Sequence, residues 1–207
     1  MKGLFITIEG PDACGKSTQI NLLKEYFQNK GYDVVITREP GGTKISEKIR
    51  NLILDKENKT MSYKTEALLY AASRSQHVDE LIRPSLSNGK IVICDRFVDS
   101  SLVYQGIARS LGIENVYNLN LFAMEEVIPD ITIFFEIDEC EVKRRKNNRR
   151  NLDRLESEKD EFHKMVYNGY KTLKGMYPER IKTIDANGTI QQVHQRIIKL
   201  VEKVMEK

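Results

Sequence analysis

The chain has no tryptophan, only five prolines and three cysteines, and no apolar run near the roughly 18 residues that a membrane-spanning helix needs. Cys14, Cys94 and Cys140 are an odd number without C-x-x-C spacing, which argues against a disulfide framework and a zinc site and suits a reducing cytoplasm. Met1-Lys2-Gly3 leads straight into a strand-like segment with no signal-peptide pattern, so export is not expected. His77, His163 and His194 lack metal-ligand spacing. Charge of one sign is missing too. Thirty-three Lys and Arg face thirty Asp and Glu, a net +3, which gives no general nucleic-acid or membrane coat. With 40% hydrophobic and 30% charged residues, the 207-residue chain reads as one folded domain over 1–207.

Five short apolar, β-branched runs punctuate it: Leu4–Glu9, Val34–Thr37, Ile91–Cys94, Ile131–Phe135 and Ile181–Ile184. Such runs suit strands buried on both faces. Helical spacing fills the intervals, at Ile20, Leu23, Tyr26 and Phe27 and over roughly 43–55, 65–88, 114–128, 156–176 and 190 to the end. The alternation predicts an α/β fold: a five-stranded parallel sheet with helices on both faces and ligands at the carboxyl ends of the strands.

Gly10-Pro11-Asp12-Ala13-Cys14-Gly15-Lys16-Ser17 fits G-x-x-x-x-G-K-[ST] between the first strand and the first helix. Backbone N–H groups can curl around phosphate oxygens there, the helix adds its positive end, Lys16 reaches the β- and γ-phosphates and Ser17 ligates Mg²⁺. At the helix N-terminus, the Cys14 thiol is expected to have a lowered pKa. Asp95, ending the third strand, is a further Mg²⁺ ligand candidate, and Arg96 can pair with a phosphate.

Arg38-Glu39-Pro40-Gly41-Gly42-Thr43 follows the second strand and so emerges on the same rim. Arg38 suits a phosphate and Glu39 a metal or a water. Tyr70 and Arg74, four residues apart on a helix face, offer a ring for stacking and a fork of donors for a carbonyl edge. Asp99 is the expected N-cap of the next helix, on which Ser101 and Gln105 could complete the hydrogen bonds to a pyrimidine edge.

Together with Glu9-Gly10-x-Asp12, Asp95-Arg96-Phe97, Ser100-Ser101-x-x-Tyr104-Gln105 and Leu152-Asp153-Arg154-Leu155-Glu156, these blocks resemble the bacterial thymidylate kinases over nearly the whole chain. The resemblance implies a P-loop nucleoside triphosphate hydrolase fold and transfer of the ATP γ-phosphoryl group to dTMP with Mg²⁺. ATP would lie on Gly10, Pro11, Asp12, Ala13, Cys14, Gly15, Lys16, Ser17 and Thr18. The monophosphate would meet Asp12 near its sugar and phosphate, Arg38, Arg50 and Arg96 at the phosphate, Glu39 and Pro40 beside them, and Tyr70, Arg74, Ser101 and Gln105 around thymine. Homodimers are common in that family. So is a lid, here a short arginine-bearing segment over about 141–156 that includes six basic residues in the eight from Lys143 to Arg150. Arg149, Arg150 or Arg154 would serve the transition-state charge, with Lys16, Arg38 and Arg96 as the other catalytic cations. Nucleic acid is not an expected partner, because no interleaved aromatics accompany the basic tract. Ala13 stands where a glycine is common, and its Cβ matters if that position needs positive φ.

Overall fold

The structure, a computed structural model, describes residues 3–138, 141, 142, 144 and 153–206. Strands β1 (Leu4–Glu9), β2 (Val34–Arg38), β3 (Ile91–Asp95), β4 (Ile131–Glu136) and β5 (Ile181–Asp185) form one all-parallel sheet in the order β2-β3-β1-β4-β5. This is the predicted five-stranded α/β architecture. Helices α1 (Lys16–Asn29), α2 (Lys44–Leu54), α3 (Tyr63–His77), α4 (Arg83–Ser87), α5 (Val98–Ser101), α6 (Ile113–Met124), α7 (Asp160–Met176) and α8 (Ile190–Met205) lie between and after the strands. No helix among the described residues is long and apolar enough to cross a membrane.

The period-2 alternation of β1 builds both cores. Ile6 and Ile8 pack with Leu23 and Phe27 of α1 and with Val193, Ile197 and Val201 of α8. Phe5 joins Val78, Ile82, Phe97 and Val103 on the opposite face. Both faces are therefore apolar, which explains why the central strands read as continuous hydrophobic runs.

Register then sets the site. Asp95 is paired with Ile8 on one side and Arg38 on the other, so β1, β3 and β2 end level and launch Gly10, Arg96 and Glu39 from one rim. Local chemistry fixes several helix ends: Gly31 at φ 85 closes α1, the Thr43 side chain accepts from Ser46 N at the start of α2, and Thr189 and Gln192 form a capping box on α8.

Three expectations need correction. The helix expected over 65–88 is three pieces, with a π-helical turn at Val78–Ile82 between α3 and α4. The segment before Asp160 is turns, so the helix expected from 156 starts four residues later. Asp99 is not a cap but a fully buried residue inside α5, paired bidentately with Arg180 at 2.5 and 2.7 Å and accepting from Thr132 Oγ1 at 2.9 Å. The cap is supplied from elsewhere in the chain by Glu9, whose Oε1 accepts from Phe97 N at 2.8 Å and Ser100 N at 3.2 Å.

Candidate active site

The phosphate loop rises from the end of β1 with Gly10 at φ 147, Ala13 at φ 65 and Gly15 at φ 101. A Cβ at Gly10 would come within 3.0 Å of Phe135 Cβ, which is why the first position of the motif needs glycine. Ala13 does sit in the left-handed region and carries a modest strain there. Lys16 Nζ donates to Gly10 O at 3.2 Å and Pro11 O at 3.1 Å, and stands 4.0 Å from Asp95 Oδ1.

Cys14 overturns the sequence reading. It is 2% exposed and packs in the core with Ile6, Ile8 and Phe135, and burial pushes its thiol up rather than down despite nearby Lys16 and Arg96.

Arg96, also at positive φ (68), donates to Asp12 Oδ1 at 2.8 Å, Ser100 Oγ at 3.3 Å and the Tyr170 hydroxyl at 3.2 Å, and lies 3.9 Å from Glu9. These partners hold its charge far above neutral pH, against the desolvation that opposes it. Glu9 is fully buried and accepts from Phe97 N, Ser100 N, Ser100 Oγ and Tyr170 Oη, and burial raises its pKa. Arg38 is half-exposed and paired with Glu47 at 2.9 Å. Arg50 donates to the Pro40 carbonyl at 2.8 Å and has no carboxylate within ion-pair distance among the described residues. Burial and the neighbouring Arg38 lower its pKa. A desolvated guanidinium of that kind gains most from an arriving phosphate.

Arg74 is 1% exposed. Its Nε donates to Glu39 Oε2 at 2.7 Å, and its NH1 reaches Ser101 Oγ at 3.1 Å and Asn120 Oδ1. Glu39 Oε1 in turn meets His77 Nδ1 at 3.0 Å, and His77 Nε2 meets Thr37 Oγ1 at 2.7 Å. Because a carboxylate only accepts, the network puts the His77 proton on Nδ1. Glu39 is thus corrected: both of its oxygens are committed to Arg74 and His77, so it anchors the arginine instead of serving as a metal ligand. Arg154 is corrected as well. Its Nε donates to Ile53 O at 2.7 Å and its NH2 to Glu66 Oε2 at 2.7 Å, which ties it to α2 and α3, and it is not among the residues lining the cavity that holds the phosphate loop. Arg149 and Arg150 lie outside the described residues.

Most of the expected site residues line one cavity of about 490 Å³; Gly10, Pro11, Cys14 and Arg154 do not. Its wall carries Asp12, Ala13, Gly15, Lys16, Ser17 and Thr18 of the phosphate loop, Arg38, Glu39, Pro40, Arg50 and Arg96 of the rim, and Tyr70, Arg74, Ser101 and Gln105 beyond them. The cavity thus runs from the phosphate loop to Tyr70 and Arg74 without a break. The thymidylate kinase family profile matches residues 8–197. The chain belongs to the thymidylate kinase family. It is 52% identical to the thymidylate kinase of Finegoldia magna over 97% of this chain and 98% of that one. With that of Exiguobacterium sibiricum it shares 47% over 100% and 98%. The crystal structure of the thymidylate kinase from Ehrlichia chaffeensis superposes with a TM-score of 0.80 at 33% identity, covering 97% of this chain and 100% of that one.

Within this thymidylate kinase fold, the residues that sequence reasoning missed are the ones that hold others. Glu9, Glu66, Asn120 and Tyr170 are buried polar side chains, and each faces a site residue: Arg96, Gln105, Arg74 and Arg96 in turn. For Glu9 and Asn120 the available signal was an acid or amide inside an otherwise apolar run, which only a buried partner makes tolerable; Glu66, after Lys64 and Thr65, and Tyr170 carried no such signal.

Proposed function

We propose that the chain transfers the γ-phosphoryl group of ATP to dTMP, giving dTDP and ADP, within this one cavity. The observation that carries the reading is the continuity of the phosphate loop with a second subsite that ends in an aromatic ring, Tyr70, and a buried guanidinium, Arg74. A nucleotide switch needs only the first of these.

ATP lies on the loop from Gly10 to Thr18, with Lys16 directed to the β- and γ-phosphates. Arg38, Arg50 and Arg96 bind the acceptor phosphate, and Asp12, held by Arg96, borders its sugar. Tyr70 stacks on the base while Arg74, fixed by Glu39, donates to its carbonyl edge, with Ser101 and Gln105 alongside. Phosphoryl transfer of this kind needs alignment and cations and no covalent nucleophile.

The donor set fits Mg²⁺: Asp95 Oδ1 is buried and accepts no hydrogen bond, and Ser17 lines the same cavity. Ser17 and Asp95 would hold the ion, which when bound neutralises charge on the β- and γ-phosphates. The segment over about 141–156 is proposed as a lid within a single domain over 1–207, with Arg149 and Arg150 its candidate cations. The free thiols of Cys14 and Cys94 support a cytoplasmic setting.

Arg74→Ala should raise the KM for dTMP by about tenfold or more and leave the KM for ATP unchanged, because a lost charged hydrogen bond in a buried site is worth about 1.5–3 kcal/mol. Steady-state kinetics with each substrate varied in turn checks this. An unchanged dTMP KM would remove Arg74 from the base site.

A homodimer is also proposed. Phe122 on α6 is 89% exposed, and Leu121 beside it and Leu68 on the neighbouring α3 are exposed too, an apolar face that a second copy would cover. Light scattering on the eluting protein should give twice the chain mass for the wild type and the single-chain mass for Phe122→Glu. A monomeric wild type would contradict the assignment.

A further inference from the structure

A buried acid on α3 has no part in the chemistry proposed above. Glu66 has no exposed surface, yet three side chains from distant parts of the chain converge on it. Gln105 Nε2 donates to Oε1 at 2.9 Å, Arg154 NH2 to Oε2 at 2.7 Å, and Arg109 reaches both oxygens at 3.4 Å. Arg109 is further paired with Glu158 at 2.6 Å, so two arginines and two acids balance in this corner. The cluster lies beside the proposed base subsite, since Gln105 and Tyr70 line the cavity and Glu66 stands one helical turn before Tyr70.

What Glu66 does to Gln105 follows from hydrogen-bond chemistry. An amide offers two donors on nitrogen and an acceptor on oxygen, and can turn over to present either. A carboxylate held by two arginines offers acceptors only, so the nitrogen must face Glu66 and the oxygen must face away. Gln105 Oε1 is buried and has no partner, on a side chain that lines the cavity. An unpaired buried carbonyl is costly unless a ligand completes it.

We propose that Glu66 is a positioning residue for base selection: it locks the Gln105 amide with its oxygen toward the base, where it accepts from a ring N–H. Arg74 presents donors to the neighbouring carbonyl. The pair therefore suits a 4-oxo pyrimidine, which carries N3–H beside O4. Cytosine presents the reverse, a bare N3 beside an amino group, and would meet acceptor with acceptor and donor with donor. Arg109 and Arg154 hold Glu66 in turn, which gives Arg154 a place in the site other than the one expected of it. The inference rests on the reading that the base lies against Tyr70, Arg74 and Gln105.

The test is the ratio of kcat/KM for dTMP over dCMP in Glu66→Gln, Glu66→Asp, Gln105→Ala and the Glu66→Asp/Gln105→Ala double variant. Aspartate keeps the charge that Arg109 and Arg154 need, so it preserves the fold if glutamine does not, but it is one methylene short of Gln105. Both single Glu66 variants should lose about tenfold or more of the discrimination. The loss should sit in the KM of the monophosphate, with the KM for ATP unchanged. The double variant should discriminate no worse than Gln105→Ala, because Glu66 acts only through that amide. If Gln105→Ala alters the ratio while both Glu66 variants keep the wild-type value, or if the losses add in full, the positioning role is overturned and the base site stands. If Gln105→Ala itself keeps the wild-type ratio, the base-site reading and this inference both fall.

Discussion

Lys16→Ala should lower kcat by about 10²–10³ while the KM for dTMP stays within a few-fold of the wild-type value. The Lys16 ammonium is almost fully buried, held by the Gly10 and Pro11 carbonyls at 3.2 and 3.1 Å. If ATP lies on the loop as proposed, a charge fixed in that way stands beside the transferring phosphoryl group, and little reorganisation is needed at the moment of reaction. The proposed monophosphate site is made of other residues, which is why its KM should be spared. Arginine at this position should not rescue, because a planar fork cannot replace a compact ammonium between two carbonyls. Folding should survive, since α1 is anchored by Ile20, Leu23 and Phe27 rather than by Lys16. Single-turnover kinetics with a circular-dichroism melt checks both halves; a kcat within fivefold of wild type would remove Lys16 from the chemistry.

Arg96→Ala should act on two levels. Catalytically it removes a cation from the acceptor phosphate and releases Asp12, and kcat/KM for dTMP should fall by about 10²–10³. Structurally it takes the positive charge away from Glu9, which is fully buried and 3.9 Å from that guanidinium. Breaking a buried pair by deleting one partner costs about 3 kcal/mol or more, because the other charge is left in the interior. The pH dependence has a definite sign. Burial already raises the pKa of Glu9 above its usual 4.5 while Arg96 pulls it down, so the substitution raises it further. A carboxyl whose folded pKa exceeds its unfolded one binds more protons in the folded state, so stability falls as pH rises through the folded value. The destabilisation of Arg96→Ala should therefore be smallest below pH 4.5 and largest at neutral pH. Chemical denaturation across that range checks it; a pH-independent difference would show that Glu9 and Arg96 are not coupled.

The strands, their parallel order of burial and the phosphate loop were legible because each rests on a local rule: a two-face apolar run, a left-handed glycine, a strand-to-helix junction. Arg38 and Arg96 were legible because each follows a strand onto a common rim, whereas Tyr70, Arg74 and Gln105, on helical segments, were grouped with them by the family resemblance; all five line the one cavity. What local rules missed was pairing at long range. Nothing in the neighbourhood of Asp99 announces Arg180, 81 residues on, so a good capping residue was read as a cap. Glu39 looked like a metal ligand because its partners Arg74 and His77 lie 35 and 38 residues away. Cys14 misled for a related reason: the helix N-terminus argues for a lowered pKa, but the side chain turns into the core, and desolvation outweighs the Lys16 and Arg96 charges together.

On the proposed function, one cavity holds both ATP and dTMP and passes a phosphoryl group between them. Incubating the protein with Mg²⁺, γ-labelled ATP and dTMP, and resolving the products, tests it directly. Label should appear in dTDP, far more slowly when dCMP or AMP replaces dTMP, and only slowly in free phosphate when no monophosphate is added. Label released as phosphate at the same rate with and without dTMP, or transferred to AMP as readily as to dTMP, would contradict it.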